Sequence, residues 1–224
     1  MHLTRLRLNP ARRGARKLLT SPQAMHAAVL AGFAQPHGHT QPHARTLWRL
    51  DENRDRRITL YLSSPGTPDL THLVEQAGWP TTETWTTRPY QPFLDRLHAG
   101  QQWAFRLTAN PVRDGRKTDD AKDTQRFGQV TVQQQIDWLY RRSEKNGFAL
   151  NANPTGSPDT VVHQRRTHSF SRGNGNRPVT LAAVTYDGTL TVTDAEALRK
   201  MISNGIGHAR AYGCGMLTLA PLRS

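Results

Sequence analysis

The order of hydrophobic patterns is the strongest constraint on how this 224-residue chain folds. A strand, helix, strand, strand, helix, strand succession runs through the first half and then restarts. Residues 2–8, HLTRLRL, put Leu6 and Leu8 on one face and Arg5 and Arg7 on the other, the period of a half-buried strand. Asn9-Pro10 ends it and a basic loop follows. Ser21-Pro22 predicts a helix start, with serine as N-cap and proline at the first helical position. Met25, Val29, Gly32 and Phe33 fall on its buried face. Residues 46–50 and 58–62 read as strands around a turn, 69–77 as a short helix ended by Gly78, and 82–87 as β-rich. Pro89 and Pro92 mark residues 89–100 as a linker.

The second pass opens with a strand at 103–107 and a mixed-charge, mobile loop at 113–128. Val132, Ile136, Leu139 and Tyr140 share one helix face, and Asn146-Gly147 closes that helix. Residues 160–172 are rich in Val, Thr and Phe. Asp187-Gly188 predicts a two-residue turn joining strands at 179–186 and 189–192. A helix capped by Asp194 and a strand at 216–219 complete the succession. The expectation is an α+β chain of two βαββαβ halves, 1–88 and 101–224, joined by 89–100. The repeat is one of pattern, not of sequence.

The charge then narrows the partner. The formal net charge is +13, and residues 1–50 hold eight of the basic side chains with no acid. Arginine outnumbers lysine, and its planar fork of donors suits phosphates and base edges. A GC-rich genome also inflates arginine, and an acid-free start is also a transit-peptide trait. The strand pattern at 2–8 argues for folded structure instead. The longest apolar run, residues 27–34, is 8 residues, which excludes a spanning helix of about 20. A single cysteine, Cys214, excludes an intrachain disulfide and a cysteine-rich zinc site.

A glycine-rich loop, GIGHARAYGCG, carries Gly205, Gly207, Gly213 and Gly215. It lies between a helix and a strand, the reverse of the order that a dinucleotide fingerprint or a P-loop requires. His208 and Arg210 on such a loop suit a phosphate backbone. The alternative is a tight turn packed on the sheet.

Residues 205–221, GIGHARAYGCGMLTLAP, resemble the C-terminal glycine-rich loop of the CRISPR-associated RAMP proteins. With MHLTRLRLNP at 1–10, Ser21-Pro22, Met25-His26, TLWRL at 46–50, FRLTANP at 105–111 and WLYRRSEKNGF at 138–148, the chain resembles the CasE family of type I-E Cascade. That resemblance implies two tandem ferredoxin-like (RRM-like) domains and metal-independent cleavage of CRISPR precursor RNA at the 3′ base of each repeat stem-loop. It implies no cofactor. It also implies a cytoplasmic protein, monomeric when free and kept off membranes, that holds its product and joins other Cascade subunits.

The same resemblance places the catalytic histidine at His26. An imidazole titrates near pH 6.5 and exchanges a proton at neutrality. RNA supplies its own nucleophile, the 2′-OH. His26 then serves either as base toward that hydroxyl or as acid toward the leaving 5′-oxygen. Some family members carry a tyrosine three residues earlier, where this chain has Gln23, an amide that hydrogen-bonds but does not transfer protons. Charge stabilisation of the phosphorane falls to Arg12, Arg13, Arg16 and Lys17 in the preceding loop. Arg165, Arg166, His168 and Arg172 form a second cationic cluster, which the resemblance places on a hairpin at the end of the RNA stem. A solvent-facing strand edge is the other reading of that cluster.

His37, His39 and His43 lack a nearby carboxylate or thiol, and Asp119, Asp120 and Asp123 sit among cations, so no metal site is expected. Two readings compete with the nuclease. One is a non-catalytic RNA-binding subunit on the same fold. The other is a basic DNA-binding protein, for which no helix-turn-helix or zinc-finger pattern speaks.

Overall fold

The computed structural model describes residues 1–34, 45–82, 84–115, 125–170 and 179–222. The chain divides into two compact units. The first comprises Met1–Leu97, Arg199–Ile206 and Arg210–Met216, and the second His98–Leu198, Gly207–Ala209 and Leu217–Ser224.

In the first unit the elements are β1 (His2–Leu8), α1 (Arg13–Thr20), α2 (Pro22–Leu30), β2 (Leu47–Glu52), β3 (Ile58–Ser64), α3 (Thr71–Ala77), β4 (Trp85–Pro89) and α4 (Gln91–Asp95). The sheet order is β2-β3-β1-β4, with every neighbour antiparallel. That is the ferredoxin-like order, with the first and third strands of the pattern central. Leu6 and Leu8 of β1, Leu60 and Leu62 of β3 and Trp48 of β2 form one wall of the core. Ala15, Leu18, Met25, Val29, Leu73 and Val74 from α1, α2 and α3 form the other. Burial of such side chains contributes roughly 1.5–3 kcal/mol each.

The expected basic loop after β1 is instead the helix α1. Ala15, Leu18 and Leu19 sit at helical spacing and face the core, which outweighs the exposed Arg13, Arg16 and Lys17. Gly14 lets α1 approach α3, since a Cβ there would lie 2.3 Å from the Gln76 carbonyl oxygen. Ser21 is extended, as a residue before proline tends to be, and so splits the first helical segment into α1 and α2. Within the segment read as a linker, α4 buries Leu94.

The second unit contains β5 (Gln102–Ala109), β6 (Val112–Gly115), β7 (Gln125–Gly128), α5 (Val132–Ser143), β8 (Phe148–Leu150), β9 (Thr160–Phe170), β10 (Val179–Val192) and β11 (Leu217–Ala220), with the start of α6 (Ala195–Asn204). Its sheet order is β11-β5-β10-β8, with β9 also pairing β10. This repeats the ferredoxin-like order of the first sheet. Phe105, Leu107, Trp138, Leu139, Phe148, Tyr186 and Leu190 are buried here. Trp138 donates its indole N–H to the Val112 carbonyl at 3.1 Å, and Tyr186 its hydroxyl to the Gln135 carbonyl at 3.1 Å.

Three expectations fail in this unit for identifiable reasons. Asp187-Gly188 is no turn, because β10 runs unbroken through it. Gly188 is required because a Cβ would lie 2.3 Å from the Asp159 carbonyl oxygen. The 113–128 stretch is not all loop, since β6 and β7 pair at its ends. Finally, α5 buries Gln135, Trp138, Leu139 and Ser143, while Val132 and Tyr140 are exposed. Gln135 is tolerated inside because its amide donates to the Gln129 and Val130 carbonyls. Its capping box, Thr131 with Gln134, sets the helix start instead.

Candidate RNA-processing site

His26 lies in the middle of α2. Ser21 caps that helix, its hydroxyl accepting from the Ala24 N–H at 3.2 Å, and Pro22 opens the first turn. Met25 and Val29 anchor one face in the core at zero exposure, which fixes the adjacent His26 at the half-buried edge. Its Nδ1 is buried without a hydrogen-bond partner among the described residues. Loss of hydration pulls the imidazole below its ordinary 6.5. His26 is therefore largely neutral at neutral pH, the form that accepts a proton. Gln23 is exposed, three residues earlier, and so shares its side of the helix.

The cations of the preceding segment divide into two kinds. Arg13, Arg16 and Lys17 are exposed on α1, which packs against α2. Arg12 is half-buried, and its guanidinium donates to the Val74 and Gly78 carbonyls at 3.5 and 3.4 Å. It thereby caps the C-terminus of α3 and meets the negative end of that helix.

The glycine loop owes its composition to close packing. Gly205, Gly207, Gly213 and Gly215 all have positive φ, between 77° and 86°. A Cβ on Gly213 would lie 2.7 Å from the Trp48 ring, and one on Gly207 2.9 Å from the Trp138 ring. A Cβ on Gly215 would lie 2.7 Å from the Ile206 carbonyl oxygen, and the Ile206 N–H donates back to Gly215. Gly215→Ala thus meets both a left-handed backbone and fixed backbone atoms. The expected loss is about 3 kcal/mol, read as a lower urea midpoint. An unchanged midpoint would mean a loosely held loop.

Arg210 points inward, donating to the Asn204 and Gly205 carbonyls at 3.3 and 3.1 Å. Burial, then the neighbouring Arg45, lowers its pKa. His208 bridges to Asn110 in the second unit. Burial pushes the Cys214 thiol up to about 12, so it is no nucleophile.

One juxtaposition has no signal in the sequence. The 3-10 turn Arg210–Tyr212 packs against α2 and β2 within the first unit. The backbone of Tyr212 is thereby brought beside the His26 helix from far along the chain.

In the second unit, Arg165 and Arg166 are exposed on β9, and His168 is half-exposed opposite Leu181. Arg165 donates to the Val130 carbonyl. Burial, then Arg166, lowers the His168 pKa. An extra residue in β9, with Gln164 at φ 48°, forms a bulge that shifts the alternation between His163 and Arg166. Arg172, His37, His39, His43, Asp119, Asp120 and Asp123 lie outside the described residues. Among the described residues, no three His, Cys, Asp or Glu are grouped to hold a metal ion, and no helix is long and apolar enough to cross a membrane.

Residues 1–221 match the family described as CRISPR associated protein. The chain is 31% identical over 227 residues to the CRISPR-associated endoribonuclease Cse3 of Thermus thermophilus, covering 99% of this chain and 100% of that one. It is 29% identical over 187 residues to the CRISPR system Cascade subunit CasE of Escherichia coli, covering 79% and 89%. A structure of CRISPR endoribonuclease Cse3 bound to a 19-nucleotide RNA superposes with a TM-score of 0.81 at 30% identity, covering 99% and 100%. The match runs through both ferredoxin-like units, from the first strand to the glycine loop, and the chain belongs to the CRISPR-associated proteins of the CasE (Cse3) type.

Proposed function

We propose that this protein is an endoribonuclease that cuts CRISPR precursor RNA at the 3′ base of the repeat stem-loop and keeps the product as a Cascade subunit. The observation that carries the reading is His26, a half-buried imidazole held largely neutral by desolvation on α2, the helix against which α1 with its exposed cations packs. Relatives matched along nearly the whole chain are named as endoribonucleases or were solved with RNA.

In this reading neutral His26 removes the proton from the ribose 2′-OH. The oxygen attacks the adjacent phosphorus, the bond to the 5′-oxygen breaks, that oxygen takes a proton from water, and the proton held by His26 passes to solvent. A 2′,3′-cyclic phosphate and a 5′-OH remain. Arg13, Arg16 and Lys17 neutralise the charge that gathers on the phosphorane, with Gln23 as a hydrogen-bonding neighbour of His26. Arg12 supports the same segment from the end of α3. Arg165, Arg166, His168 and Arg172 contact the end of the stem. Gly205, Gly207, Gly213 and Gly215 shape the loop that presents His208, and Arg210 braces that loop from within. The free protein is read as a cytoplasmic monomer without a metal or cofactor.

Two changes of conditions test the chemistry. Cleavage of repeat RNA should continue in excess chelator. A single 2′-deoxyribose just upstream of the scissile phosphate should abolish it. Cleavage of the deoxy substrate would rule out 2′-OH attack, and loss of activity in chelator restored by metal would rule out metal independence.

A further inference from the structure

The face of the first sheet that turns away from α1, α2 and α3 is unusual in charge. The register of β1 places Arg5 opposite Tyr61 on one side and Thr86 on the other, with Leu3 opposite Arg88 and Arg7 opposite Thr59. Arg5, Arg7, Tyr61 and Arg88 therefore share this face, within the reach of direct and diagonal cross-strand neighbours. Arg5 is exposed although β1 is an interior strand, so the face is open there. Arg88 is exposed too, and neither makes a hydrogen bond or ion pair among the described residues. Tyr61 is half-exposed, with the Arg49 guanidinium 5.7 Å from its ring centroid.

The second sheet offers an internal comparison. Its first strand, β5, also presents an arginine away from the core, Arg106. There Asp187 accepts from Arg106 and, at 3.0 Å, from His163. That charge is neutralised in place, whereas Arg5 and Arg88 have no such partner. Like charges side by side on a sheet are destabilising, and an anion laid across them relieves the repulsion.

We propose that this open face of the first sheet, centred on Arg5, Tyr61 and Arg88, binds the single-stranded RNA that flanks the repeat stem. The proposal rests on the RNA-processing reading above. The arginines meet phosphates, and Tyr61 offers a ring against which an unpaired base stacks. A duplex keeps its base faces covered and gains nothing from Tyr61. A protein partner fits less well, because the exposed large hydrophobic residues, such as Trp79, Val130 and Tyr140, lie outside β1–β4.

The test uses the full chain and three labelled RNAs: an oligouridylate of about 10 nucleotides, the repeat stem-loop alone, and the stem-loop with a single-stranded flank. The wild type should bind the oligouridylate and favour the flanked stem-loop over the bare one. The Arg5→Ala/Arg88→Ala double variant should lose about tenfold on the oligouridylate, with its salt slope reduced by about 1.4, or 0.7 per phosphate contact. It should cleave the bare stem-loop as the wild type does. Tyr61→Leu should abolish photocrosslinking of 5-iodouridine to this sheet. Arg5→Lys/Arg88→Lys should keep most of the slope, which separates lost charge from misfolding. Equal oligouridylate binding and an equal slope in the double variant would overturn the proposal. So would a variant that keeps RNA binding but loses a protein subunit, which would make the face a protein contact. Failure of the RNA-processing reading looks different, as no cleavage of the bare stem-loop by the wild type.

Discussion

His26→Ala should lower the cleavage rate by about 10²–10⁴-fold while repeat RNA still binds. The substitution removes an imidazole whose Nδ1 has no partner among the described residues, so no hydrogen bond from that nitrogen to them is lost with it. Single-turnover cleavage and a filter-binding isotherm on the same preparation check both halves. Undiminished cleavage would remove His26 from the mechanism. The pH dependence is more discriminating. Desolvation holds the imidazole below 6.5. As a base it is active when neutral, so kcat/KM should be level above about pH 6.5 and fall only below it. A rate that instead declines from pH 6 to pH 8 would assign His26 the acid role. Stability carries the same sign. A depressed folded-state pKa means the unfolded chain binds more protons, so this contribution is intact above 6.5 and is lost as the pH falls below it.

Arg49→Ala should cost about 3–5 kcal/mol of unfolding free energy, the range for breaking a buried ion pair. Arg49 is 2% exposed. Its guanidinium grips Asp51 through two bonds of 2.6 and 3.0 Å and donates to the Met216 carbonyl at 3.0 Å. Removing it strands the Asp51 carboxylate, whose side chain is 15% exposed. The Arg49→Ala/Asp51→Ala double variant should recover part of the loss, because no lone charge is then left buried. Arg49→Lys should not restore the wild-type value, since an ammonium lacks the planar fork. Urea midpoints at constant slope would show this. A loss under 1 kcal/mol would mean the pair is effectively solvated.

The order of elements was legible because it rests on local signals. Leu6 and Leu8 alternate with Arg5 and Arg7, Ser21-Pro22 caps α2, and Asp194 accepts from the Glu196 and Ala197 N–H groups at the start of α6. The failures came where a distant contact decides. α1 reads as a basic loop until α3 supplies a surface for Ala15 and Leu18. Asp187-Gly188 reads as a turn until the Asp159 carbonyl and the Arg106 guanidinium are known to lie against it. Of the candidate site, His26 and the cations of α1 were readable from the sequence and the resemblance. The packing of Arg210–Tyr212 against α2 was not, because no periodicity links residues so far apart.

The first unit is not a continuous stretch of chain, and this bears on how it comes into being during synthesis. The acceptor for Arg49 lies 167 residues further on, at Met216. The ribosome therefore releases Met1–Leu97 long before Arg199–Ile206 and Arg210–Met216 exist to complete the unit. Until they arrive, Leu47 lacks the cover of Gly205, Trp48 lacks that of Gly213, and Arg49 lacks one of its acceptors. The half that carries His26 is thus begun first, yet it stays incomplete until nearly all of the other half has been made.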